Sequence, residues 1–489
     1  MYTHRPLNLS IRKHGIGGLS VPIILFRASE EECLYLEWFR HRTTKKLPGA
    51  FVTTFWDTLI FQSLQEPAVL HAVLTLSCVH KKGTLEGDGQ HSGPKESDEH
   101  FILQHYSEAI GDLGPRLASW ERHSLRVTLI TCVIFVCLEY LRGNLQTAQL
   151  HLHAGLKLLA SLHTRSSATH NTIITPSLDP VDEWVEEAFT RLYVQRGLLV
   201  HFNGSLELSY PPLRTIGRLP SRFHSYNLAW RHLENIYCRV FHLATVQRHQ
   251  RLKHVSKQES SPQYRELGKI QTELAQWLMV YTVSAPSLII QEPTLRADNL
   301  LSEYYNMARI MVATCLRSPS DETIYDNYTK DFLAILSTSI KLWNIRAAAL
   351  PRFWHKSSLD MTRSIVDIGW LAPLYFMALK CRVRRIRWHA VQLLERTFHK
   401  EGIWDSRLCA SVSRAVVQFE EPNFDGACYP RLHFALDEVP NLVDVSGPIL
   451  PKERRISRVR VDLPEGPSES VTLHFKQCGD WQTSQVSLA

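Results

Sequence analysis

Twenty-four histidines and ten cysteines give this chain ample material for a metal site, so spacing decides whether it holds one. A helix offers two side chains to one ion only when they stand three or four residues apart, on a common face. No two histidines have that spacing, and the closest pair, His151 and His153, falls on different sides of a helix. The cysteines stand at 33, 78, 132, 137, 238, 315, 381, 409, 428 and 478, and none forms a Cys-x-x-Cys pair. The expectation is no metal ligand and no cofactor.

Phosphate and nucleophile chemistry fare no better. A phosphate-cradling loop needs a glycine, four intervening residues and then Gly-Lys-Ser/Thr. Gly268-Lys269 has neither the upstream glycine nor a following hydroxyl. Gly15-Ile-Gly17 lacks the third glycine and the preceding strand of a dinucleotide-binding turn. No Gly-x-Ser-x-Gly elbow occurs. Acidic pairs are frequent on helical segments, where solvated faces account for them. No catalytic residue is assigned, and the chain is not expected to be an enzyme; a helical enzyme with an unfamiliar site is the remote alternative.

Basic chemistry is denser. In Lys380-Cys-Arg-Val-Arg-Arg-Ile-Arg387, the side chains of Lys380, Arg382, Arg384, Arg385 and Arg387 could form a nuclear-import signal or touch phosphate. Helical spacing argues otherwise: Val383, Ile386, Ala390, Leu393 and Thr397 make one buried stripe, which turns Arg384, Arg385 and Arg387 to solvent. The solvated face is the stronger reading. Lys452-Glu-Arg-Arg455 is a lesser basic patch. Asp182-Glu-Trp-Val-Glu-Glu187 reads as the acidic first turn of a helix rather than an activation segment.

Composition supplies a scaffold for these side chains. With 44% hydrophobic residues in 489, the chain can bury a large core, and 21% charged residues excludes wholesale disorder. A charge of +7, from 55 basic and 48 acidic residues, is too mild to mark an obligate nucleic-acid binder. Thiols scattered through apolar helical stretches suit a reducing compartment. Pro22 interrupts the short apolar patch near the N-terminus, so no signal peptide is expected. Val127–Leu138, bounded by Arg126 and Glu139, is short for a bilayer. A soluble intracellular protein without a membrane partner is expected.

The elements are mostly helical. Ser29-Glu-Glu-Glu32 reads as a capping box, and Pro67 suits a first turn. Gly83–Ser97 has the composition of an exposed, disordered loop, and Gly114-Pro115 of a helix break. Leu125–Leu141 is apolar almost all round and belongs at the centre of a bundle. Leu145, Ala148, Leu152, Leu156 and Leu159 make a helical stripe. Further helices are expected at about 227–255, 263–282, 295–317, 321–347, 359–381, 383–399 and 405–419. Between the last two, Gly402 can end a helix in the left-handed conformation and Asp405 can cap the next. Ser457–Leu463 and Ser470–Phe475 alternate apolar and polar residues around Pro464-Glu-Gly-Pro, a hairpin signal. The expected fold is all-α, a large multi-helix bundle of stacked antiparallel helix pairs with a short C-terminal β-hairpin. Its parts are an arm or linker (1–28), a helical domain (29–440) with a disordered loop at about 83–97, and a tail (441–489) holding the hairpin.

Three blocks carry a resemblance. The first is Glu31-Glu-Cys-Leu-Tyr-Leu-Glu-Trp-Phe-Arg-His-Arg-Thr43 with Phe55-Trp56 and Glu66–Val73. The second is Leu129–Leu156 with Phe135, Glu139, Gly143-Asn144, Ala148 and His151. The third runs from Asp367-Ile-Gly-Trp through the arginine-rich helix to Ser406. In this order they resemble the regulatory (fungal-specific transcription factor) domain of the fungal binuclear zinc cluster transcription factors, over roughly residues 29–475. The resemblance implies a nuclear regulator of transcription, often of a metabolic or biosynthetic gene set. That family's zinc cluster uses six closely spaced cysteines near the N-terminus. Here Cys33 is the only cysteine before residue 78 and already lies in the first regulatory helix, so no zinc ligand is carried over. DNA is then a partner only if a zinc cluster is supplied elsewhere. The expected partners are the transcription machinery or a related transcription factor, with homodimerisation open. The alternative is a stand-alone interaction module that modulates a full-length factor without binding DNA.

Overall fold

Ser29 opens the first helix by reciprocal capping: Glu32 N donates to Ser29 Oγ at 3.1 Å, and Ser29 N donates to Glu32 Oε2 at 2.6 Å. This computed structural model describes the chain outside residues 1–27, 88–95, 169–178, 204–216, 253–261, 292–294, 319–320, 349–360, 362, 422–433, 442–449, 467 and 489. The expected arm, 1–28, therefore lies almost wholly outside the described residues.

Helix α1 (Glu30–Trp38) is followed by the one-turn segments α2 (Thr44–Lys46) and α3 (Ile60–Gln62). Then come α4 (Pro67–Gly87), α5 (Glu96–Ser119), α6 (Arg122–Arg142), α7 (Leu145–Ala168), α8 (Pro180–Asn203) and α9 (Tyr226–Leu252). The second half holds α10 (Pro262–Gln291), α11 (Leu295–Thr314), α12 (Thr329–Ala348), α13 (Leu371–Lys380), α14 (Arg384–Glu395) and α15 (Ser406–Glu420). A two-residue hairpin pair, β1 (Lys400–Glu401) and β2 (Trp404–Asp405), separates α14 from α15. The tail forms a sheet of β3 (Ile456–Val461), β4 (Ser470–Gln477) and β5 (Asp480–Ser487), ordered β3-β4-β5 and antiparallel throughout.

Consecutive helices pack in twos: α4 on α5, α6 on α7, α9 on α10, α11 on α12 and α13 on α14. The pairs stack through α4 on α6, α9 on α11 and α12 on α13. This is the expected all-α bundle, and α6 is its axis. From Leu125 to Leu141 every α6 residue but Arg126 is buried, which its all-round apolar character requires. By length and composition α6 could cross a membrane, yet its side chains lie inside the fold.

Several expectations need correction. Helix α4 continues to Gly87 and α5 begins at Glu96, so both ends of the loop expected at 83–97 are helical; residues 88–95 lie outside the described set. Helix α5 runs through Pro115 to Ser119 instead of breaking there, because the segment is exposed and water can satisfy the carbonyl left open. Among the described residues of the helix expected at 359–381, only Leu371–Lys380 is helical. The stretch before it is pinned by Ile365 N to Lys400 O and Val366 N to Leu47 O, both at 2.9 Å. The tail has a third strand, β5, joined to β4 through Cys478 and Gly479, whose φ angles of 51° and 100° form a tight reversal. Val459, Leu473 and Phe475 turn inward, and Phe475 stacks on Phe419 of α15 at 4.5 Å.

Two glycines set how closely helices approach. A Cβ on Gly155 of α7 would lie 2.4 Å from the Phe189 ring of α8, and one on Gly197 of α8 would lie 2.3 Å from the Phe241 ring of α9. Alanine favours a helix by about 1 kcal/mol over glycine, but at Gly197 the ring has to move. Gly197→Ala is expected to destabilise by about 1–3 kcal/mol in urea unfolding, whereas Gly268→Ala, with open space around it, stabilises.

Candidate functional site

The basic cluster lies inside the protein. Val383, Ile386, Ala390, Leu393 and Thr397 are buried as expected, but so are Arg382, Arg385 and Arg387, and Arg387 has no exposed surface. Lys380 and Arg384 are half-buried. Three carboxylates explain this: Glu322, before α12, and Glu420 and Glu421 at the end of α15. Arg382 bridges Glu322 at 2.8 Å and Glu420 at 3.0 Å. Arg387 pairs with Glu420, reaches Glu421 at 3.4 Å and donates from Nε to Ala378 O at 2.8 Å. Lys380 takes Glu322 and Arg384 takes Glu421, each at 2.8 Å. Arg385 lies over the Phe434 ring and donates to His389 Nδ1 at 2.7 Å. The solvent-face reading is therefore corrected. An import signal must be presented at the surface, and three of its five residues are not.

A second ionic centre forms around Arg191 of α8. Its guanidinium donates to Asp367 Oδ2 at 2.8 Å, Glu234 Oε1 at 3.1 Å, Asn227 Oδ1 at 2.7 Å and Phe51 O at 2.5 Å. Glu187 joins through Asn227 Nδ2 at 2.9 Å. Burial alone would depress Arg191, but Asp367, Glu234 and Glu187 hold it charged. Burial pushes Glu234 up to about 7 and Asp367 up to about 6, against the pull of Arg191. Glu234 and Asp367 share one guanidinium away from water, so the two acids are reluctant to ionise together.

The Glu401–Ser406 reversal is adjacent. Gly402 takes φ 56°, as foreseen, but in the β1–β2 turn and not at a helix end, since α14 stops at Glu395. A Cβ there would fall 1.8 Å from Gln195 Oε1. Asp405 caps α15, accepting from Arg407 N at 2.9 Å. Glu401 accepts from Leu371 N at 2.8 Å and from His399 Nε2 at 2.7 Å. Arg346 donates to His399 Nδ1 at 2.7 Å, which leaves the imidazole neutral with its proton on Nε2. Burial, reinforced by Arg346, pushes His399 down to about 4.

One group of three side chains assembles that sequence spacing could not reveal. His71 of α4 and His105 and Glu108 of α5 bring Nδ1, Nδ1 and Oε2 to within 2.8, 3.1 and 3.3 Å of one another. Ligands from two helices need no common spacing, so the search within single helices passed over them. With the ring centroids 5.0 Å apart and the Nδ1 atoms 2.8 Å apart, each nitrogen points at the other. The distances fit an N–H···N hydrogen bond beside a carboxylate, and the three ligand atoms are also close enough to share one metal ion.

The family model described as the fungal specific transcription factor domain matches residues 39–195, from Phe39 to the helical turn after Arg191. Residues 39–195 are thus similar to the fungal specific transcription factor domain. Over 118 residues, 24% of this chain and 28% of the relative, it is 29% identical to the transcription regulator lscL of Purpureocillium lilacinum. Over 190 residues, 39% of this chain and 29% of the relative, it is 25% identical to an aspercryptin biosynthesis cluster-specific transcription regulator of Emericella nidulans. The matches thus span under a third of either relative's length. No solved structure matches significantly. Within the matched residues lie α6, the axial helix of the bundle, and Arg191, which joins this part to the C-terminal half.

Two outcomes follow. Glu420→Gln leaves Arg387 and Arg382 short of a buried counter-charge and is expected to destabilise by about 3–5 kcal/mol in urea unfolding. The combined Arg387→Met and Glu420→Leu change recovers most of that loss. His399 titrates near 6.5 when unfolded and about 4 when folded, so its stabilisation is complete above pH 6.5 and fades as pH falls through 4. Glu234 and Asp367 act in the opposite direction, so the test is by substitution: His399→Gln should lower stability at about pH 7 more than at pH 5.

Proposed function

We propose that this chain regulates transcription in the nucleus through protein contacts made by its helical domain. The observation that carries the reading is the family match over residues 39–195, which falls on helices continuous with the rest of the core. The arrangement of charge supports it. Buried acids, arginines and imidazoles around Arg191, Arg387 and His399 are committed to one another, which suits a rigid body for contact and not a reaction centre. DNA would be read by a zinc cluster supplied elsewhere, because the 489 residues hold no run of six closely spaced cysteines. One relative is named for a biosynthetic cluster, which favours a similar class of target genes.

A second copy of the chain is the partner favoured by the surface of α10. From Leu274 to Ile290 the helix has no charged residue, yet Met279, Val283 and Ile290 are 70%, 54% and 82% exposed. Two such faces can meet without burying a charge. Met279→Glu with Val283→Glu is expected to turn a dimer into a monomer in light scattering, with helical content unchanged.

Tethering tests the main reading. Fused to an unrelated DNA-binding module, the chain should change expression of a reporter carrying that module's site. Unchanged expression with the fusion present in the nucleus refutes it. In a mobility-shift assay the chain alone should leave promoter fragments unshifted; a shift with steep salt dependence would assign it direct DNA binding.

A further inference from the structure

Five cationic side chains crowd one small cavity that the ionic centres above do not explain. It lies between α9, the end of α11, the turn leading to α12, α13 and β3, and holds about 90 Å³. Arg248, Arg251, Arg317, Lys380 and Arg458 line it. Asp321 and Glu322 are also there, but Glu322 is divided between Lys380 and Arg382, each at 2.8 Å. Asp321 Oδ1 accepts from Thr323 Oγ1 at 2.7 Å. Positive charge therefore exceeds negative around the cavity.

Like charges are held together here by elements far apart in sequence. Like charges gathered around one cavity repel one another, so an anion entering among them is favoured. Arg251 shows how incomplete the internal answer is. Its Nη2 donates to Leu316 O at 2.8 Å and Arg317 O at 2.6 Å, while its Nε is buried with no hydrogen-bond partner among the described residues. Burial first, and then Arg458 and Arg251, depress the Arg248 guanidinium below its usual range. The hydroxyl-bearing residues Thr314, Ser318 and Ser457 line the same space.

We propose that this cavity binds a phosphoryl group, as inorganic phosphate or as the head of a phosphorylated metabolite, held by Arg248, Arg251 and Arg458. At about 90 Å³ the cavity has room for one tetrahedral oxyanion. Guanidinium forks match phosphate oxygens two at a time. Because the site joins α9, α11, α13 and β3, an occupant would tie the helical bundle to the C-terminal sheet.

Calorimetric titration and thermal unfolding of the full chain test this, with inorganic phosphate, glycerol 3-phosphate and chloride at matched ionic strength. Either phosphate should bind saturably and raise Tm, and chloride should not. Arg248→Gln with Arg458→Gln should weaken phosphate binding at least about tenfold. Without phosphate, that variant should be at least as stable as the native chain, because the repulsion is relieved. Tighter binding of glycerol 3-phosphate would identify a metabolite head, and equal or weaker binding would identify free phosphate. Equal Tm shifts with phosphate and chloride, or an undiminished response in a folded variant, overturn the proposal. Duplex DNA binding that depends on Arg248 and Arg458 and is indifferent to phosphate also overturns it. The readout is binding, so its failure leaves the transcriptional reading untouched.

Discussion

One buried guanidinium governs how the two halves of this protein meet. Arg191 leaves α8 and reaches Phe51 O from the N-terminal turns, Glu234 from α9 and Asp367 from the segment before α13. A charge away from water is tolerated only when its donors are filled, so these segments cannot separate without exposing an unmet cation to apolar surroundings. The surrounding aromatic packing depends on the same alignment. Trp230 donates to Glu234 at 2.5 Å, stacks on Phe51 at 5.3 Å and meets Tyr304 edge-on at 4.9 Å.

The arginine-rich helix repeats this logic at the C-terminal end. Helix α14 is amphipathic, yet most of its basic side is covered too, because α15 ends in two glutamates and the turn before α12 supplies a third. Glu420 also accepts from Ile456 N at 2.5 Å, which fastens the first strand of the tail to the bundle. The sheet is thus attached by the same carboxylate that neutralises the helix. His399 stays neutral because burial, with Arg346 at Nδ1, outweighs the pull of Glu401 at Nε2.

The His71–His105–Glu108 cluster joins α4 to α5. Apart from these centres stand the uncharged stretch of α10 and the cationic cavity at the junction of bundle and sheet.

The amphipathic periods, the all-apolar run of α6, the Ser29 box, the left-handed Gly402 and the Asp405 cap were legible along the chain, since each depends on residues within a few positions of one another. The family resemblance was legible for the same reason, being carried by contiguous blocks. The third strand was not, because Asp480–Ser487 is largely polar on both faces and is held by backbone pairing to β4. Nor was the fate of the basic cluster: Arg387 and Glu420 stand 33 residues apart, Arg382 and Glu322 stand 60 apart, and Arg191 and Asp367 stand 176 apart. Local sequence determined which segments are helices and which sides of them are greasy. Only the tertiary structure decided which charges are buried, because a charge may leave water only when a partner from another element arrives to meet it.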